Sequence, residues 1–279
     1  VNNSCIIAPI HPPFFRRFGV DWVKSYNTYF EDSDIFLIFS NEAEKDDFAK
    51  MASDLRYNSI VCDEHIGKSP ITQKKFYGLK WIFQNTSFTQ VGVADVDSLF
   101  IKTVDYDKLF TNYLNNGKVY AGYGSEKIIC FGESPSKFFN DTDNAKIKNI
   151  TADYKLYFWF NDIPIYTKDH FFNFLRYIDY DNSMANLEYI DFSYIIYAHY
   201  LLVHDIIKLE TIEINGKIVS VPFGVIEQQH HFHPSDFEKI IKKIKPVWLK
   251  IPWNLNPEME WANTLGSVFM QLHVHSPYK

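Results

Sequence analysis

Cysteine is scarce in this 279-residue chain: Cys5, Cys62 and Cys130 are the only three, odd in number and far apart. That count excludes a disulfide framework and a zinc knuckle, which need paired or closely spaced thiols. All three lie in apolar, strand-like segments. They are therefore expected to be buried free thiols of a protein in a reducing, cytoplasmic compartment. Long apolar runs are missing too. None approaches the roughly 18–20 residues that span a bilayer, and no signal-peptide pattern opens the chain at Val1. Basic charge is in deficit, with 28 Lys and Arg against 34 Asp and Glu, a net charge of −6 and a pI near 5.9. Nucleic acid is thereby excluded as the main partner, because a phosphate backbone needs a basic footprint. The one dense basic stretch, residues 239–250, reads as the solvated face of a helix.

What is present is ample apolar material: 46% hydrophobic residues, with 18 Tyr and 25 Phe. Aromatic side chains carry the largest burial area, so core filling accounts for most of them, and stacking on sugar rings is the further use they allow. The first hundred residues alternate in type. Residues 5–10 form an apolar run closed by Pro9, Pro12 and Pro13, which reads as a buried strand. Residues 14–29 carry helical spacing at Phe18, Trp22, Tyr26 and Tyr29. A strand at 34–39, a helix over 41–55 capped by Asn41, and a strand at 59–62 follow. A helix over 70–84, with Ser69 as its cap and Pro70 in its first turn, leads into a strand at 90–94. This order predicts an α/β fold: a mixed, mainly parallel, Rossmann-like sheet flanked by helices, in a single domain.

The second half changes character. Strands at 119–124 and 128–132, a mobile polar loop over 134–151 that could act as a lid, and a dense aromatic stretch at 155–166 are expected. Helices at 168–177 and 186–202 come next, then a histidine cluster (His230, His231, His233), a helix over 235–244 and a Trp-rich tail. No linker separates residues 1–132 from 133–279. The two read as a nucleotide-binding half and an acceptor-binding half of one domain.

Asp-x-Asp occurs five times, at Asp32/Asp34, Asp95/Asp97, Asp105/Asp107, Asp141/Asp143 and Asp179/Asp181. Four of these sit in polar surroundings, where loop and capping roles suffice. Only Asp95/Asp97 follows an apolar strand and precedes another apolar stretch. Ligands of open α/β sheets bind beyond the carboxyl ends of the strands, so this pair stands where a site belongs. Two carboxylates placed together repel, and a hard divalent ion such as Mn²⁺ or Mg²⁺, shared with a diphosphate, relieves that cost.

The segment KKFYGLKWIFQNTSFTQVGVADVDSLFIK, residues 74–102, resembles the GT-A glycosyltransferases, in which a helix leads to an apolar strand ending in Asp-x-Asp. The resemblance covers the first ~130 residues well and the remainder loosely, as expected of one fold hosting many specificities. It implies a GT-A fold and a metal-dependent transfer of a sugar (xylose, galactose or glucose) from a UDP-linked donor to a glycan acceptor. Asp95 would then face the donor ribose or sugar, and Asp97 would bind the metal that bridges the diphosphate. His11 matches the nucleotide contacts after the first strand by position. Arg16 or Arg17 would lie near the phosphates, and Lys74 and Lys75 match the basic residues of the helix before the motif. A late His often completes the metal site, with a Lys six residues on at the diphosphate. His273 and Lys279 have that spacing, although Ser276 stands where a Gly usually intervenes, and His275 and the earlier histidine cluster are rivals.

Inversion at the anomeric centre, the slightly favoured stereochemistry, needs a base near the acceptor hydroxyl. Asp191, expected to open the helix over 186–202, is the first candidate, Asp162 in the aromatic stretch the second and Glu188 the third. Trp159 and Phe160 are candidates for stacking on the acceptor sugar. Two alternatives remain open at this point: a nucleotidyltransferase acting on sugar phosphates, and a glycan-binding module without catalysis. The loop HPPFFRRFG, with its single late Gly, fits the first poorly. The oligomeric state is not written in the sequence.

Overall fold

The computed structural model describes residues 3–30, 34–64, 67–96, 98–100, 117–124, 126–157, 165–211, 213–218, 220–221, 248–252 and 269–273. Strand β1 (Ser4–Pro9) is buried along its whole length, so its sequence is a continuous apolar run, not an alternation. It pairs in parallel with β2 (Ile35–Phe39) on one side and β4 (Gln90–Val93) on the other. Strand β3 (Asn58–Val61) adds to β2 in parallel, and β8 (Ile165–Thr167) closes β4 in the antiparallel sense. The order is β3-β2-β1-β4-β8.

Successive side chains of these strands point to opposite faces, and each face has its own core. Cys5, Ile7 and Ile38 meet Phe76, Leu79 and Phe83 of a long helix (Pro70–Asn85) on one face. Ile6, Ala8, Leu37 and Phe39 meet Trp22, Val23, Tyr26 and Phe48 on the other. Those last four come from α2 (Val20–Tyr29) and α3 (Glu42–Met51), after a short α1 (Pro12–Phe14) and a wider π turn (Phe15–Gly19). The long helix is α4. It lies close on the sheet because residue 78 is Gly: a Cβ there would stand 2.2 Å from Ile38 Cδ1. Mainly parallel strands with helices on both faces are what the sequence predicts.

Three smaller sheets follow among the described residues, one of them the antiparallel pair β10 (Glu213–Ile214) and β11 (Lys217–Ile218). Strand β6 (Lys118–Gly124) pairs antiparallel with β7 (Leu156–Tyr157) and parallel with β9 (Lys208–Thr211) and β12 (Ser220–Val221). Strand β5 (Ser98–Phe100) pairs antiparallel with β14 (Phe269–His273), which pairs in parallel with β13 (Trp248–Pro252). The expected helix over 168–177 is present as Lys168–Tyr177.

Several expectations are corrected. Residues 128–132 are not a strand but part of a helix, α5 (Glu126–Glu133). A short apolar run has no periodicity that separates the two. Cys130 consequently is exposed, while Cys5 and Cys62 are buried as expected. Residues 134–151 are not a mobile loop. They form a 3₁₀ turn (Ser134–Phe138) and α6 (Asp141–Ile150), with Asn140 accepting from the Asp143 N–H as N-cap. Pro135, Phe138, Phe139 and Ile147 are buried there, which pins the segment to the core. The helix expected over 186–202 begins only at Ser193 (Ser193–Val203), and Ser69 precedes α4 without making a side-chain cap bond. Among the described residues no helix is long and apolar enough to cross a membrane.

Candidate active site

Strand order reverses between β1 and β4, since the chain leaves β1 toward β2 and returns on its far side. A crevice therefore opens beyond the carboxyl ends of these two strands. His11 stands at the end of β1, and Asp95 at the end of β4. Hydrogen bonds from Ile10 N to Ile38 O (3.0 Å) and from Ala94 N to Ile7 O (2.9 Å) carry the ladder up to both positions. Val96 is buried, so the residue between the two aspartates anchors the motif in the core below.

Helix α4 runs back over the sheet and delivers its first turns to the same rim. Lys75 Nζ lies 2.7 Å from Asp95 Oδ1, with the Lys75 side chain 11% exposed and that of Asp95 43%. The adjacent Lys74 behaves differently. At 1% exposure it donates to the Ile10 carbonyl at 2.7 Å and faces Glu44 at 3.8 Å, while Glu44 also accepts the Ser40 N–H. Burial lowers the Lys74 pKa, and Glu44 counteracts it. Lys74 is thus a strut that joins the ends of β1 and β2.

The His11 ring packs on Phe14 at 4.4 Å, and its buried Nδ1 has no hydrogen-bond partner among the described residues. Burial first, then the Lys74 charge, pushes its pKa down, so the imidazole is neutral near pH 7 and has an acceptor or donor to offer a ligand. Arg16 is exposed and its Nε meets Met51 Sδ at 3.3 Å, on the α3 side. Below Asp95, the hydroxyls of Tyr157 and Tyr194 meet at 3.2 Å. Burial raises the Tyr194 pKa most, with Tyr157 and the Asp95 charge adding to it. No signal short of the three-dimensional meeting of β7 with the helix Ser193–Val203 would have found this pair.

Asp191 lies against the first turn of α4, with its carboxylate engaged. Its carboxylate is 0% exposed, held by Lys137 Nζ (2.5 Å), the Ser134 hydroxyl (2.5 Å) and the Glu188 N–H (2.7 Å). Its carbonyl accepts the Thr72 hydroxyl, which ties the turn to α4. Glu188 is exposed and pairs with Lys68 at 2.8 Å. Asp97, Asp162, Trp159, Phe160, Lys279, His275 and the cluster His230, His231 and His233 lie outside the described residues. For His273 the backbone alone is described. It pairs with Pro252 of β13, and the ladder of β14 with β5 ends at Gln271 opposite Ser98.

Among the described side chains no group of three His, Cys, Asp or Glu stands together as a metal site. Asp95 nevertheless holds a cation already, the Lys75 ammonium, and has the half-exposed carboxylate a second cation would need. Of the other Asp-x-Asp pairs, Asp105/Asp107 and Asp32 lie outside the described residues, and the rest have local roles. Asp141 and Asp143 occupy the first turn of α6, Asp34 accepts from Asn58 and Asp179 takes a left-handed turn.

No family model and no curated protein matches the chain. Among solved structures it is similar to mouse xyloside xylosyltransferase 1 in its apo form, at 9% identity and a TM-score of 0.42, over 75% of this chain and 85% of that one. It is also similar to core-mannan synthase A from Aspergillus fumigatus in a Mn/GDP form, at 12% identity and 0.40, over 74% and 69%. A third is the apo-form glycosyltransferase GlyE of Streptococcus pneumoniae TIGR4, at 13% and 0.43, over 100% of this chain and 56% of that one. Likeness this distant assigns nothing.

Proposed function

We propose that this chain is a GT-A glycosyltransferase that moves a sugar from a nucleoside diphosphate donor, UDP by the resemblance of its motif, to a glycan acceptor. The observation that carries the reading is the crevice at the reversal of strand order, with Asp95 and Lys75 on one side and His11 on the other. A half-exposed carboxylate, a neighbouring ammonium and an orphaned imidazole nitrogen suit a metal, a diphosphate and a ribose or base, in that order.

In this reading Asp95 and Asp97 hold Mn²⁺ or Mg²⁺, and His273 is the third ligand, at the end of a strand whose neighbour β5 begins just after the motif. When bound, the ion acts as a Lewis acid on the departing diphosphate. The chain's own residues do the rest. Lys75 supplies positive charge to the diphosphate, His11 orients the nucleoside, and Lys74 keeps the β1 end in place beneath it. Arg16 and Lys279 remain candidates for the phosphates. Asp162 is the better candidate for a base that would make the reaction inverting, because Asp191 has both carboxylate oxygens engaged and is closed to solvent. A reducing, cytoplasmic setting belongs to the proposal and is supported by the buried thiols of Cys5 and Cys62, whose pKa values burial raises. A nucleotidyltransferase is disfavoured because residues after β1 coil into α1 and a π turn, leaving no Gly-rich phosphate loop. Binding of UDP- or GDP-sugars in the presence of Mn²⁺, and its loss in Asp97→Ala, tests the proposal.

A further inference from the structure

Lys75 and Asp95 form an ion pair on one side of the crevice, with the Asp95 side chain 43% exposed. Lys74 already secures the strand end, and Asp95 lies past the last residue of β4. The Lys75 backbone is fixed on α4, whose neighbouring Phe76 and Leu79 are fully buried. Its four-carbon stem nevertheless lets the ammonium swing several ångströms without moving the helix.

We infer that Lys75 is an exchangeable counter-ion of Asp95. In the free protein its ammonium occupies the carboxylate that the metal needs, and donor binding moves it onto the diphosphate. This rests on the function proposed above. A divalent ion seated on Asp95 would stand within a few ångströms of the ammonium at 2.7 Å, and two such cations on one carboxylate repel strongly in a partly buried site. A diphosphate brings enough negative charge to hold both. Metal and nucleotide therefore bind with positive coupling, each raising the affinity for the other by the same factor. Without nucleotide, Lys75 keeps the site closed to adventitious cations and keeps the Asp95 charge compensated.

The test is Mn²⁺ titration of the full chain, followed by calorimetry and by the loss of the free-ion electron paramagnetic resonance signal, with and without UDP or GDP. Lys75→Met removes the charge and keeps the stem, and Lys75→Gln serves where the first variant melts earlier than the parent. Either variant is expected to bind Mn²⁺ alone roughly tenfold more tightly, and the factor by which Mn²⁺ and nucleotide raise each other's affinity falls by about tenfold. Lys80→Met, on the same helix but paired with Glu64, is expected to change neither. Unchanged or weaker Mn²⁺ binding in a folded Lys75 variant overturns the inference and leaves the glycosyltransferase reading standing. Tighter Mn²⁺ binding in a chain that never binds UDP or GDP overturns that reading and leaves the counter-ion in place.

Discussion

His199 sits fully buried in the helix Ser193–Val203, its ring 6.0 Å from Phe139 and 6.2 Å from Tyr154. Burial holds its pKa down, at about 3 against an ordinary 6.5. The unfolded chain takes up this proton near pH 6.5, whereas the folded chain refuses it until about pH 3. Stability present above pH 6.5 is thus lost as the pH falls through that window, by about 1.4 kcal/mol per unit. Urea unfolding at pH 7 and pH 5 should show roughly 2 kcal/mol less of this acid loss in His199→Phe than in the parent. Equal losses in both would sink the assignment. Asp191 is the second residue whose burial decides its role. Asp191→Asn sets an amide donor against Lys137 or the Glu188 N–H, and should cost roughly 2–4 kcal/mol by urea denaturation. A variant of parental stability with no activity would instead restore Asp191 as the base.

Helix α4 is the element on which the site depends, because one face packs on β1 and β2 and its first turns supply Lys74 and Lys75. Gly78 sets the approach. Gly78→Val should destabilise by about 2 kcal/mol in thermal or chemical unfolding and weaken donor binding with it, by tilting Lys75 away from Asp95. Parental stability would mean that the helix has more room than the 2.2 Å contact allows. This helix was plain in the sequence, with Pro70 at its first turn and apolar residues on the buried side. So were β1, β2 and β4, whose apolar runs are bounded by Pro, Ser and Asp. The elements from 126 to 151 were not. Ile128, Ile129 and Cys130 read equally as strand or helix, and Asn140, with Asp141 and Asp143 after it, looks like loop polarity until the Asn140 side-chain Oδ1 is seen accepting from the Asp143 N–H to cap α6. Burial of Phe138 and Ile147, invisible in one dimension, decides those cases.

At the scale of the whole molecule, function follows from where the sheet reverses. Sequence order alone pointed to Asp95 through its place after a buried strand, and four other Asp-x-Asp pairs of the same spelling showed how little spelling means. What the sequence could not convey is the division of labour between two adjacent lysines. A helix turns 100° per residue, so Lys74 meets the Ile10 carbonyl while Lys75 meets Asp95. Nor could it show that Asp191 is consumed by Ser134 and Lys137 of one 3₁₀ turn and by the backbone N–H of Glu188. The pairing of β14 with β5, which carries His273 toward the motif across more than 170 residues of chain, depends on a long-range contact of the same kind. The most direct measurement is calorimetric binding of UDP, GDP and their sugars to the chain with and without Mn²⁺, repeated in Asp95→Asn and Asp97→Ala. Binding that needs Mn²⁺ and drops at least tenfold in both variants is predicted. Tight binding that is indifferent to Mn²⁺ or survives Asp97→Ala would contradict the account.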